Sequence, residues 1–136
     1  MPGAIIADFW SWAYSDVLSN ATRGAFAEFI VGAALSIIDA PRLEWDAVDL
    51  RYRECGIEVK SAAYLQTWKQ EGRLSKIVFG IAKTRGWDAR TNTSSEKPSR
   101  EAHVYVLCLY PEKDKSRANV LDVSTWEFYV LPVSTI

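Results

Sequence analysis

Histidine and cysteine are scarce in these 136 residues: one histidine, His103, and two widely separated cysteines, Cys55 and Cys108. Zinc fingers, disulfide frameworks and histidine-based catalytic triads all need more. Two isolated thiols suit a reducing compartment, so a cytoplasmic location is expected. No apolar run approaches the ~18 residues of a membrane span. The N-terminal MPGAIIADFWSW has no basic stretch and meets Asp8 early, unlike a secretory signal. No membrane partner is therefore expected. A charge excess of one sign is missing too. The 16 Lys and Arg stand against 17 Asp and Glu, a net −1, which excludes a generally basic nucleic-acid coat. Any catalysis has to run on carboxylates, lysine and hydroxyls, with or without a metal that prefers oxygen.

Hydrophobic residues make up 49% of the chain, enough for one packed core. The length fits a single domain over residues 1–136, and no internal repeat divides it. The neutral total hides an uneven distribution. Residues 51–100 carry 11 bases against 5 acids, while the remainder carries 5 bases against 12 acids. A basic middle is either a solvated face or a surface for phosphates, where each Lys or Arg contact releases counterions.

Spacing of the apolar residues predicts a short helix over residues 8–18, within an N-terminal helical segment 1–19. A stronger helix runs from a cap at Asn20 or Thr22 to about Ile38, stopped by Pro41. Residues 45–53 and 57–61 alternate around Glu54-Cys55-Gly56 and read as an antiparallel hairpin. Further strands are expected at 75–82, at 103–110 (more continuously apolar, hence buried on both faces) and near 126–131. Residues 83–102 are polar and read as a flexible loop. The fold class is α/β or α+β: a mixed central sheet of about five strands, with a β-hairpin and flanking helices.

Three features converge on chemistry. Glu58 and Lys60 lie two apart on one strand and so share a face. Asp49 lies on the preceding strand, where a hairpin brings it across from them. Glu28 is the only charge in the apolar stretch 25–38, and a buried carboxylate needs a partner. Neighbouring carboxylates repel unless a cation sits between them, and oxygen-only ligands suit Mg²⁺ or Mn²⁺. Asp49, Glu58 and the Val59 carbonyl are the candidate metal ligands. Lys60 is placed to orient an attacking water or to neutralise transition-state charge. Asp46 competes with Asp49, since a β-bulge could turn it to the same face. Glu28 has a plainer reading as a first-turn acid offsetting the helix dipole or pairing with Arg23. Of the six tryptophans, Trp45 and Trp126 read as core. Trp87 sits in the basic loop and, like Tyr64 and Trp68, could stack on a base. His103 reads as a core or edge histidine and Cys108 as an inert core thiol.

Asp49…Glu58-Val59-Lys60 resembles the PD-(D/E)xK motif of the restriction-endonuclease-like superfamily. Glu28 in RGAFAEFIV resembles the extra acid of its Holliday-junction-resolvase-like branch. The chain is also similar to a family of small bacterial proteins with a WD..DL…IEVKS.AYLQ.W core and a W.FYVLP end. The Pro of the motif is absent; Ala47-Val48 precedes Asp49. The superfamily often has a helix between its third and fourth core strands; here that helix is either short, over residues 96–102, or the core is modified. The resemblance implies a restriction-endonuclease-like core and a Mg²⁺- or Mn²⁺-dependent endonuclease acting on DNA, with Asp49, Glu58, Lys60 and Glu28 at its site. It also implies support from Gln66, whose alternative is a solvated amide. Phosphate or base contacts would come from Lys69, Arg73, Lys83, Arg85, Trp87 and Arg90. The alternative is a catalytically weak or inactive module of the same fold that binds DNA or a partner protein. A homodimer is a third expectation, through Phe9, Trp10, Trp12 and Tyr14.

Overall fold

The computed structural model describes residues 3–85, 87–88, 90–94 and 96–136. Helix α1 (Ile6–Tyr14) starts where the Asp8 carboxylate accepts the Ile5 N–H at 2.8 Å. Helix α2 (Asn20–Ala34) is capped by Ser19, one residue before the expected cap, whose hydroxyl accepts the Thr22 N–H. Asn20 instead accepts a hydrogen bond from Arg23 at 2.7 Å. α2 ends four residues short of Ile38 and well before Pro41. Ser36 turns left-handed (φ 57°), and the Ile37 and Ser36 N–H groups bond back to Gly32 and Ala33 carbonyls. This is a Schellman close made without glycine. Ser36→Gly is expected to raise stability by about 0.5–1 kcal/mol in a urea melt, because glycine takes that conformation without strain.

Four strands form one mixed sheet in the order β1 (Leu50–Tyr52), β2 (Cys55–Ala63), β5 (Val104–Tyr110), β6 (Glu127–Pro132). β1 and β6 are antiparallel to their neighbours, and β2 and β5 are parallel. A separate two-stranded ribbon joins β3 (Trp87–Asp88) and β4 (Thr93–Ser94). The fold is thus α+β with a four-stranded sheet. The strand expected at 75–82 does not form. Residues 75, 77, 79 and 81 are half-buried and those between them exposed, but the segment joins no ladder. Alternation there reports extended backbone with one side turned inward, not a partner strand. The loop expected at 83–102 carries the small ribbon and a Thr84–Ser99 bridge, and no helix is found among its described residues.

The hairpin turn lies at Arg53-Glu54, one residue earlier than expected, with Arg53 at φ 54°. Gly56 belongs to β2. A Cβ there would stand 3.1 Å from a Val48 methyl and 3.5 Å from the Glu101 carbonyl, so glycine serves close approach rather than the turn. His103, on the same edge, accepts the Gly56 N–H at Nδ1 (2.9 Å).

One face of the sheet packs Ile57, Val59, Ala63, Val106, Cys108 and Tyr110 against Ala27 and Val31 of α2. Trp126 is buried there, its indole N–H on the Val120 carbonyl, and burial of so large a ring contributes about 3 kcal/mol. Cys108 is fully buried, and burial pushes its thiol up to about 12. Trp45, expected in the core, is exposed instead. It lies in the irregular approach to β1, with no sheet beneath it. Among the described residues no helix is long and apolar enough to cross a membrane.

Candidate active site

β1 is only three residues long, so past Ile57 the outer edge of β2 has no ladder partner. Asp49, immediately before β1, fills that edge: its Oδ2 accepts the Val59 N–H at 2.7 Å. Glu58 and Lys60 project from the face of β2 opposite α2, since Ser61, of the other parity, lies against Gly24 of the helix. The Lys60 ammonium donates to Glu58 Oε1 at 2.6 Å. Asp49, Glu58 and Lys60 therefore gather at the middle of one strand, on its outer edge.

Electrostatics tie the three together. Burial pushes the Asp49 carboxyl up to about 6; the Val59 N–H and Lys60 oppose the rise, and Glu58 and Glu28 add to it. For Lys60, burial works against the charge, but the Glu58 hydrogen bond and the Glu58 and Asp49 carboxylates outweigh it. Its ammonium is held above the ordinary lysine value.

Glu28 approaches from the helix-covered side. It is the ninth residue of α2, not in its first turn, and it does not pair with Arg23. Arg42 grips it with both ends of the guanidinium, Nη2 to Oε1 at 2.7 Å and Nε to Oε2. Arg23 holds the Leu18 carbonyl and Asn20. Asp46 also accepts from a neighbouring arginine, Arg51 (3.3 Å), and from the Ala47 N–H. Gln66 lies beyond the far end of β2, its Nε2 on the Ala63 carbonyl and its buried Oε1 without a partner. Lys60, the closest of the Glu-x-Lys pair in sequence, is three residues upstream of Ala63, about 10 Å along the strand. The structure thus joins Asp49, Glu58 and Lys60, sets Glu28 near Asp49 across the edge, and leaves Gln66 apart.

Asp49, Glu58 and the Val59 carbonyl are oxygen donors only, the kind that Mg²⁺ and Mn²⁺ take. The N–H and C=O of one strand residue point to the same side, so the Val59 carbonyl faces the edge that Asp49 occupies. These donors fit such an ion in chemistry. They do not yet form a closed cage: among the described residues no three acidic or other ligating side chains converge, because Glu58 leans to Lys60 and Glu28 is held by Arg42.

A hollow of about 450 Å³ opens beside this edge, walled by Phe29, Ile38 and Leu43 and rimmed by Glu28, Arg42, Asp49 and Arg51. Arg90 reaches its border and also lines a second hollow with Trp87. Lys69, Arg73, Lys83 and Arg85 are exposed along the crossover from β2 to β5. Arg42 and Arg51 were not foreseen. The signal for Arg42 was the unpaired Glu28 itself, which demanded a cation, with an arginine waiting directly after Pro41.

Compared with protein-family models, with curated proteins and with solved structures, the chain matches none.

Proposed function

We propose that this chain hydrolyses phosphodiester bonds in DNA with the help of Mg²⁺ or Mn²⁺. The observation that carries the reading is the gathering of Asp49, Glu58 and Lys60 at the unpaired edge of β2. The order helix, hairpin, parallel strand fits the restriction-endonuclease-like core that the motif resembles. Asp49, Glu58 and the Val59 carbonyl would hold the ion. Bound there, a divalent cation polarises a phosphoryl oxygen and eases attack by water.

Lys60 remains an ammonium and so is no general base. It orients the attacking water or offsets charge on the phosphorane-like transition state. Glu28 acts as a positioning residue, fixing Arg42 at the rim of the hollow. The exposed cations of residues 69–100, with Trp87, grip the nucleic-acid backbone.

A second reading has one observation in its favour: both oxygens of Glu28 are engaged by Arg42. On that reading the chain binds DNA or a protein and catalysis is weak or lost. Supercoiled plasmid incubated with Mg²⁺ or Mn²⁺ separates the two. Nicking that a chelator stops, and that Glu58→Ala abolishes, is expected. Salt-sensitive binding without cleavage supports the second reading, and nicking that persists in both Glu58→Ala and Lys60→Ala chains discards the site.

A further inference from the structure

Among the described residues nothing buries α1. Not one of its nine residues is buried, although Ile6, Phe9, Trp10, Trp12 and Tyr14 belong to it and Trp12 is 86% exposed. Its ring contacts are internal, Phe9 on Trp10 at 4.8 Å and Trp10 on Tyr14 at 5.7 Å. The connector to α2 is pinned. Val17 and Leu18 pack on the core, and the buried Arg23 guanidinium holds the Leu18 carbonyl at 2.9 Å. With its root fixed in this way, α1 is projected outward rather than laid on its own sheet.

The sheet, in turn, has an uncovered strip. Its strands are spaced ~4.8 Å apart, so four strands are wider than one helix of ~10 Å. α2 lies over β2, with Gly24 against Ser61. On the same face of β6, Phe128 and Val130 remain open, Val130 at 68% exposure. Phe128 stacks on Trp126, which meets Phe26 of α2, and Phe26 stacks on the exposed Phe29. One aromatic strip therefore runs from α2 to β6.

We propose that two copies of this chain exchange α1, each seating the helix on the β6 strip of the other beside α2. The two patches match in character and belong to the same chain, which is what a closed two-fold exchange needs. The area suffices. A buried aromatic removes ~150–250 Å² from water. With about half of the exposed α1 surface facing the strip, two reciprocal dockings bury on the order of 1,500 Å², the size of a stable interface. A lipid surface is a poorer occupant: residues 3–22 contain Asp8 and Asp16 and no Lys or Arg, so anionic headgroups repel the helix.

The test is the mass of the full chain in solution, by sedimentation equilibrium. A dimer is expected. Trp12→Lys and Val130→Glu each replace an exposed side chain, so the circular dichroism spectrum should not change. Each is expected to weaken the dimer at least ~tenfold. An equal mixture of the two variants is expected to recover association, because it pairs one unaltered docking with one Lys–Glu contact. A monomer throughout the accessible concentration range overturns the proposal. So does a dimer that Trp12→Lys breaks and Val130→Glu leaves untouched, which would mean that α1 packs on α1. Trp12-dependent pelleting of a monomer with phosphatidylcholine vesicles overturns it as well.

Discussion

Lys60→Ala is expected to lower divalent-dependent plasmid nicking by about 10²- to 10³-fold, the loss found when one preorganised donor to a transition-state charge is removed. The fold should survive, because the Lys60 side chain is about one-third exposed and its hydrogen bond is to Glu58. Mn²⁺ binding should also survive, and even tighten. With the ammonium gone, Glu58 Oε1 is released to the ion. Glu58→Ala should instead lose Mn²⁺ affinity and nicking together. Titration calorimetry with Mn²⁺ beside the nicking assay separates a residue that holds the ion from one that acts on the substrate. If Lys60→Ala nicks within about threefold of the unaltered chain, the ammonium has no role in the reaction.

Why those residues could be picked out before any coordinates is a matter of period. Alternation of two along IEVKS put Glu58 and Lys60 on one face, and a hairpin put Asp49 opposite. Both inferences needed only local geometry. The helix stop and the turn depended on something the letters do not carry. Ser36 and Arg53 adopt positive φ without being glycine, while Gly56, the obvious turn signal, is spent on contact with Val48 and Glu101. Alternation over 75–82 was equally visible and misled, because it encodes an inward side but not a hydrogen-bonded neighbour. Glu28 shows the same limit within the site. Its isolation announced a partner, yet choosing Arg42 over Arg23 required knowing that the chain doubles back fourteen residues later. The expected neighbourhood of Gln66 rested on resemblance, and its side chain lies past the C-terminal end of β2.

Asp49→Asn is expected to stabilise the metal-free chain at pH 7.5 by about 2 kcal/mol and by less than half as much at pH 4.5. The sign follows from proton counting. The Asp49 carboxyl titrates near 6 in the folded chain, against ~3.9 when unfolded. Between those values the folded state binds more protons, so stability falls as pH rises through the window and stays low above it. The gap between those two values corresponds to roughly 3 kcal/mol, reduced because the edge is partly open to water. Asparagine removes the charge and its Oδ1 can still accept the Val59 N–H. Asp88, Glu112 and Asp114, whose carboxyls are held low by neighbouring backbone N–H and hydroxyl donors, pull stability the other way on acidification. They do so in both chains and cancel in the difference. Adding Mn²⁺ at pH 7.5 should shrink or reverse the gap, because binding to the folded state stabilises by mass action only a chain that keeps the ligand. A carboxylate that costs stability alone and returns it with an ion is retained for binding. If Asp49→Asn destabilises equally at both pH values, the residue serves only as a clasp for β2.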